Sequence, residues 1–345
     1  MSYLAVLHAN RTDLEVIFDI TACRAMEDAY SRASKNGKTP EEPDYVASLV
    51  KLGVINIKRA LDQVFSGTGV TISTTGVFCH QSPMVKFTLK GKRERCELGD
   101  LLLIHSHTDK AGVVQRNALL LQAKMTEPSV RKKAIPKAEQ HQLGLYQHWP
   151  IITYDMSGGT LNGKKRLISP QSRHAGAQYL LIDSDRIFST TPVPAGHYPM
   201  GIWMAETPLF SSCSFGKVFF DFLSMASGRP FGEKATAQGW SGVIWDLVEN
   251  GLKKGFSRAR TNHVSTPGSR HSGDHVPQLM CCYTLGFGST QQSIVGDILG
   301  PASNVLRSLN NNGVVPPEVM GEFNFDEPPA GISLVIIETD ESRIE

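Results

Sequence analysis

A carboxylate, an amide and an ammonium group lie at the ends of two apolar segments that follow one another in the chain. Asp100 directly precedes the apolar run 101–104, and Gln122 and Lys124 end the run 118–124. Residues 108–112 between them are rich in turn formers, so we predict that the runs 101–107 and 117–124 pair as a hairpin. Oxygen atoms of a carboxylate and an amide at the ends of paired strands can hold Mg²⁺ or Mn²⁺. A lysine beside them can orient or deprotonate a water molecule that attacks phosphorus.

This pattern, Asp100 followed by Gln122-Ala123-Lys124, resembles the PD-(D/E)xK superfamily of restriction-endonuclease-like nucleases, in the Asp…Gln-x-Lys variant of Mrr-type restriction enzymes. The resemblance implies that Asp100 and Gln122 ligate the metal through their side chains and Ala123 through its backbone carbonyl. Most members carry Glu or Asp where this chain has Gln122, and Glu97 can supply the missing charge. The resemblance further implies a metal-dependent deoxyribonuclease that hydrolyses phosphodiester bonds, with a role in prokaryotic antiviral defence.

Basic residues flank the proposed site in sequence on both sides. The proposed nucleic-acid contacts are Lys92, Arg93 and Arg95 before the site and Arg131, Lys132 and Lys133 after it. Cations at these places can contact the phosphates on either side of a scissile bond, although solvated loops have the same composition. We therefore expect double-stranded DNA as the partner, and a protein partner or a homo-oligomer stays open.

Hydrophobic periodicity predicts the elements that position these residues. It indicates helices over 12–34, 43–65 and 136–148, and strands over 70–79, 84–89 and 178–183. Together with the hairpin, this is the α-β-β-β-α-β order of the restriction-endonuclease-like core. The resemblance thus implies an α/β (α+β) fold in which helices flank a mixed sheet. The glutamine-rich helix 136–148 often faces the active site in this family, and a polar outer face is the other interpretation.

The second half of the chain carries weaker signals. Periodicity predicts helices over 215–225 and 240–253, and strands near 279–287 and 332–338. We expect residues 1–190 to form the nuclease-like core with its N-terminal helices. Residues 191–345 are then a C-terminal α/β extension or a second subdomain of unknown role.

Composition limits the class of protein. The chain has 345 residues, of which 41% are hydrophobic and 20% charged, as in globular proteins. No apolar run reaches the roughly 18 residues that span a bilayer, and no basic segment leads into an apolar one at the N-terminus. We therefore expect a cytoplasmic protein with no membrane partner. The six cysteines show no Cys-x-x-Cys spacing, which argues against a structural zinc site.

Two alternatives remain from the residues alone. His105, His107 and Asp109 resemble the strand-end His-x-His-x-Asp-His pattern of metallo-β-lactamase-fold hydrolases, with Lys110 in place of the last histidine. They would then be the metal ligands of a different hydrolase. The other alternative is a catalytically degenerate nuclease-like module that binds nucleic acid or a protein, because Gln122 replaces the usual acid.

Overall fold

Four α-helices precede the first strand in the computed structural model, which describes residues 2–35, 37–79, 83–126, 132–156, 160–169, 176–183, 198, 200–210, 213–260, 279–285, 293–299 and 331–342. The helices are α1 (Tyr3–Ala9), α2 (Arg11–Lys35), α3 (Glu42–Ser48), α4 (Val54–Val64), α5 (Gln140–His148), α6 (Phe215–Leu223), α7 (Gly239–Arg260) and α8 (Ile294–Leu299). The strands are β1 (Thr71–Cys79), β2 (Met84–Leu89), β3 (Lys92–Glu97), β4 (Leu101–Thr108), β5 (Val114–Thr126), β6 (Lys132–Lys133), β7 (Ile152–Tyr154), β8 (Lys165–Arg166), β9 (Ala177–Asp183), β10 (Met200–Met204), β11 (Leu209–Phe210), β12 (Arg229–Pro230), β13 (Leu279–Leu285) and β14 (Ser333–Asp340).

The main sheet is mixed and has the strand order β10-β9-β5-β4-β14-β1-β13, with β12 paired to β5. β4 pairs antiparallel with β5 and parallel with β14, and β9 runs parallel to β5. The predicted mixed α/β fold and the predicted hairpin are therefore confirmed. Every residue of β4 is buried, as expected for a strand that begins with an apolar run and is covered on both faces.

The two faces of the sheet are covered by different layers. Leu101 and Leu103 of β4 point into a core shared with α1 to α4 and α6. Leu102 and Ile104 alternate with them and point into a core shared with α5, α7 and a second sheet. Because α3 and α5 lie on opposite faces near the start of β4, each can bring side chains to Asp100.

The predicted helices and strands have counterparts, with two local differences. A π-helical segment, Leu49–Gly53, separates α3 from α4 inside the predicted helix 43–65. β2 and β3 belong to the second sheet, whose order is β3-β2-β7-β8, rather than to the main one. β2 alternates buried and exposed residues, which suits a sheet with one wet face.

The main sheet contains strands from both sides of residue 190. β14, from the second half of the chain, lies between β4 and β1, and β10 and β13 form the two ends of the strand order. Strands β10, β13 and β14 thus belong to the same sheet as the hairpin. Sequence periodicity detected β14 as a strand, but nothing local encodes its insertion beside β4.

Helix α6 packs closely on α2 at Gly216, which gives a stability prediction. A Cβ atom at this position would lie 2.1 Å from the carbonyl oxygen of Glu15, and the Gly216 N–H donates to Asp19 at 2.6 Å. Gly216→Ala should therefore lower the free energy of unfolding by about 3 kcal/mol, measured by chemical denaturation. Gly232→Ala is the control, since its Cβ would meet only Ser241 Oγ at 3.8 Å. Equal stability of the two variants would contradict this packing.

Candidate active site

Asp100 is held at the start of β4 by its neighbours on both sides. Its N–H donates to the carbonyl of Leu121 at 2.9 Å, and its own carbonyl accepts from the Ser333 N–H at 3.2 Å. Its Oδ2 atom accepts the Ala123 N–H at 2.8 Å and the side-chain amide of Gln122. The prediction that Asp100 and Gln122 converge on neighbouring strands is confirmed, and the contact is direct.

The carbonyl oxygen of Ala123 faces the same edge as Asp100. Leu101, the first residue of β4, pairs with Leu121, so β5 continues beyond the start of β4. On that edge the N–H of Ala123 donates to the Asp100 carboxylate. The N–H and C=O groups of one strand residue point to the same side, so the carbonyl of Ala123 is directed to the Asp100 side as well.

Lys124 extends from the same strand and forms an ion pair. Its Nζ atom lies 2.9 Å from Oε2 of Glu139, the N-cap residue of α5. Burial lowers the pKa of Lys124, but the carboxylates of Glu42, Glu139 and Asp100 outweigh this effect, so the pKa lies above its ordinary value. Lys124 is therefore a fixed positive charge at neutral pH.

Glu97, at the end of β3, lies in the same electrostatic environment. Burial and the neighbouring Asp100 carboxylate raise the pKa of Glu97 to about 7, although Lys124 acts in the opposite direction. A carboxylate that resists ionisation beside another carboxylate indicates crowded negative charge. Such crowding is relieved when a cation binds.

Glu42, the first residue of α3, is a member of the site that sequence reasoning missed. Burial and the carboxylate of Asp100 raise the pKa of Glu42 well above its ordinary value, while Lys124 lowers it. Glu42 and Asp100 also line one small pocket, together with Pro43, Val46, Phe78, Cys79 and Ser333. The signal in the sequence was only an acidic helix start at residues 41–44, which by itself is explained by helix capping.

Helix α5 supports the segment that leads to Asp100. Gln142 donates from Nε2 to the carbonyl oxygen of Glu97 at 3.2 Å and to Oε1 of Gln122. One turn later, the hydroxyl of Tyr146 donates to the carbonyl of Leu98 at 2.8 Å. This helix does face the site, as the resemblance implied. Gln147, in contrast, donates to Ala205 at 2.9 Å.

The site is thus a group of acidic side chains with one lysine. Glu42, Glu97 and Asp100 influence one another's ionisation, and Lys124 is the cation that acts on them. In the described ranges, no three His, Cys, Asp or Glu side chains are already gathered as a set of metal ligands. Oxygen donors and crowded negative charge are nevertheless the chemistry that Mg²⁺ and Mn²⁺ prefer.

The first group of predicted basic residues lies on β3, at different distances from Glu97. Lys92, Arg93 and Arg95 are exposed on β3, and Arg95 pairs with Asp155 at 2.5 Å. Arg93 and Arg95 share one face of the strand with Glu97, because side chains alternate. Lys92 lies about 16 Å along the strand from Glu97 at about 3.3 Å per residue, so it can reach phosphates several nucleotides away.

The structure describes little of the second basic group, Arg131, Lys132 and Lys133. Lys132 and Lys133 form β6, which pairs with β11, but their side chains lie outside the described part of the structure. Arg131 lies outside the described residues altogether. Contacts of these three residues with nucleic acid stay a prediction.

The histidines of the alternative hydrolase site have other partners. His105 is fully buried, and burial lowers its pKa to about 3. Thr339 Oγ1 lies 3.2 Å from His105 Nε2 and 2.9 Å from His107 Nδ1. His107 also lies 3.3 Å from Glu341, whereas one oxygen of Asp109 accepts two backbone N–H groups of its turn at 2.8 Å each. These contacts are those of a buried polar cluster and a turn.

Comparison with known proteins adds no further constraint. No protein-family model, curated protein or solved structure matches this chain. A function for it therefore rests on the geometry of the site and on the resemblance carried by Asp100, Gln122 and Lys124. Among the described residues, none of the helices has both the length and the apolar character needed to cross a membrane.

The raised carboxyl pKa values predict how stability depends on pH. A carboxyl group whose pKa is raised by folding stabilises the folded state when protonated, so this contribution is lost as the pH rises. For Glu97 the window runs from its ordinary value of 4.5 to about 7, and the raised pKa of Glu42 acts in the same direction. Between pH 5 and pH 8 in EDTA, this contribution should lower the free energy of unfolding by about 2 kcal/mol. Buried His105 acts in the opposite direction, because its lowered pKa makes the folded state gain stability as the pH rises, so the Glu97 contribution is read by comparing variants with wild type.

Two variants check this assignment. Between pH 5 and pH 8, the midpoint of Glu97→Gln should rise relative to that of wild type, because the substituted side chain no longer ionises. Glu249→Gln should keep the wild-type pH dependence, because Lys253 and Lys234 outweigh burial and hold the pKa of Glu249 below its ordinary value. Parallel pH profiles of wild type and Glu97→Gln would show that Glu97 does not titrate over this range.

Proposed function

We propose that this protein is a metal-dependent deoxyribonuclease that hydrolyses phosphodiester bonds, with the site at the start of β4. The observation that carries the proposal is the contact of Asp100, at the start of β4, with Gln122 and Ala123 of β5, next to Lys124. Glu97 at the end of β3 and Glu42 at the start of α3 add further carboxyl groups that interact electrostatically with Asp100. A cytoplasmic location and a role in prokaryotic antiviral defence belong to the same proposal and derive from the resemblance.

The donor set fits a hard divalent cation. Asp100, Glu97, Glu42 and the carbonyl of Ala123 would hold Mg²⁺ or Mn²⁺, all through oxygen atoms. When bound, such an ion polarises a phosphoryl oxygen and lowers the pKa of a water ligand. Burial and the Asp100 carboxylate both disfavour the ionised forms of Glu42 and Glu97, and a bound cation would offset that cost.

Lys124 would act as a cation rather than as a base. Its raised pKa keeps the ammonium protonated at neutral pH. A fixed ammonium beside the scissile phosphate stabilises the negative charge that develops on the phosphoryl oxygens, and it can orient the attacking water. The ion pair with Glu139 holds the side chain at this edge of the sheet.

Double-stranded DNA is the substrate that we propose. Arg93 and Arg95 are exposed and lie on the same face of β3 as Glu97. Lys92 lies at the opposite end of that strand from Glu97. Phosphates of one DNA strand are spaced about 3.4 Å apart along the helix axis, so contacts up to about 16 Å from the site along that axis span four or five nucleotides. These residues would position the duplex without reading its sequence.

The direct experiment is cleavage of supercoiled plasmid by the purified protein with Mg²⁺, Mn²⁺ or EDTA. We expect nicked and linear products that depend on the metal, with single-stranded DNA and RNA as comparison substrates. Binding of duplex DNA without cleavage under all metal conditions would support the degenerate binding module instead. Cleavage that persists in EDTA would contradict the proposal.

A further inference from the structure

Both ends of the Gln122 side-chain amide form hydrogen bonds, and a main-chain carbonyl determines which end faces Asp100. Gln142 donates to the carbonyl oxygen of Glu97 at 3.2 Å. A peptide carbonyl only accepts hydrogen bonds, so the group of Gln142 at this position is its nitrogen. The same nitrogen donates to Oε1 of Gln122. The nitrogen of Gln122 is therefore the end that faces Asp100.

Both glutamines are buried, so reversing this orientation would cost free energy. Gln122 is 2% exposed and Gln142 is 5% exposed. Reversing the Gln122 amide would place its oxygen against the Asp100 carboxylate and its nitrogen against the donor of Gln142. Two favourable contacts would become repulsive in a place with little access to water.

We infer that Gln122 and Gln142 are positioning residues that orient the Asp100 carboxylate, and that Gln122 is not itself a metal ligand. This inference rests on the proposed metal site and departs from the ligand role that the family resemblance implies for Gln122. Gln142 fixes the direction of the Gln122 amide, and Gln122 and the Ala123 N–H together hold Oδ2 of Asp100. The metal would then be held by oxygen atoms of Asp100, Glu97, Glu42 and Ala123.

The two roles of Gln122 predict different behaviour of Gln142. If Gln122 ligates the metal through Oε1, Gln142 competes with the metal for that atom, so the loss of Gln142 should not weaken binding. If Gln122 only orients Asp100, each substitution breaks the same chain of hydrogen bonds. The effects of residues in one network are then not additive.

The experiment measures Mn²⁺ binding alone, by calorimetry, for wild type, Gln122→Met, Gln142→Met and the double variant. We expect each single variant to bind Mn²⁺ about 10- to 100-fold more weakly, as for residues that orient ligands, and the double variant to bind no more weakly than the worse single variant. Gln140→Met is the matched control on the same helix, because Gln140 is exposed and should keep wild-type affinity. Thermal stability of every variant in EDTA separates loss of folding from loss of binding.

A structure of the Mn²⁺-loaded wild type gives the second readout. We expect Oε1 of Gln122 to stay on Gln142, outside the coordination sphere. An Mn²⁺ ion ligated by Gln122, or a Gln142→Met variant with wild-type affinity, would overturn this inference and leave the proposed nuclease standing. If wild type binds no Mn²⁺ at all, the proposed metal site and this inference both fail.

Discussion

Replacing Lys124 with methionine should reduce DNA cleavage about a hundred- to a thousandfold while Mn²⁺ binding and the fold are retained. Lys124 is the cation of the site, and its raised pKa keeps it charged at neutral pH. Loss of one fixed donor or charge that stabilises developing negative charge has this magnitude in other hydrolytic sites. Methionine preserves the apolar stem, so the substitution removes the charge and little of the packing. Plasmid cleavage under single-turnover conditions measures the effect.

Lys253 offers a matched control for the loss of a lysine and of its ion pair. Lys253 pairs with Glu249 at 2.6 Å on α7, as Lys124 pairs with Glu139 at 2.9 Å. Lys253→Met should therefore cut DNA at the wild-type rate. If wild type cleaves DNA and Lys124→Met cleaves it equally well, Lys124 is not part of the active site. Equal loss in both variants would point to a general effect of net charge on DNA binding.

Apart from Glu97 at the end of β3, the part of the site that sequence predicted lies on one hairpin. Asp100 and Gln122 are brought together by two apolar runs and a short turn, so local patterns were sufficient to place them on neighbouring strands. Glu42 and Gln142 come from helices on opposite faces of the sheet, and each is at least 20 residues from the hairpin residues it contacts or influences. A single sequence contains no signal for such contacts.

The fold shows the same limit. Strand β14 was predicted as a strand from its apolar run, yet its place between β4 and β1 depends on pairing over more than 200 residues. That pairing matters for the site, because Ser333 at the start of β14 donates to the carbonyl of Asp100. The resemblance described residues 1–190 as the core, but the main sheet is complete only with strands from the second half.

Replacing Asp100 with asparagine should abolish both metal binding and cleavage without destabilising the metal-free protein. The oxygen of asparagine can still accept the Ala123 N–H and the Gln122 amide, so both hydrogen bonds of Oδ2 are preserved. The substitution removes only the negative charge of Asp100, which repels the carboxylates of Glu97 and Glu42. We expect Mn²⁺ affinity to fall by more than the roughly 100-fold seen for residues that only orient a ligand. The thermal midpoint in EDTA at pH 8 should be equal to or higher than that of wild type.

The same substitution should also change the titration of Glu97. Burial and then Asp100 raise the pKa of Glu97 to about 7, so without the second charge this pKa should move towards the ordinary value of 4.5. The stability that Glu97 loses between pH 5 and pH 8 should therefore become smaller, measured as the difference between the pH profiles of Asp100→Asn and wild type. This readout depends on the charge of Asp100 alone, because it requires neither metal nor DNA.

Asp109→Asn is the matched control for Asp100→Asn. One oxygen of Asp109 also accepts two backbone N–H groups, from Ala111 and Val113, and asparagine can accept both. Under the proposed function this variant should bind Mn²⁺ and cut DNA like wild type. Under the alternative that uses His105, His107 and Asp109, it should lose its metal while Asp100→Asn keeps it. The pair of variants therefore assigns the metal to one end of β4 or the other, because Asp100 precedes the strand and Asp109 follows it.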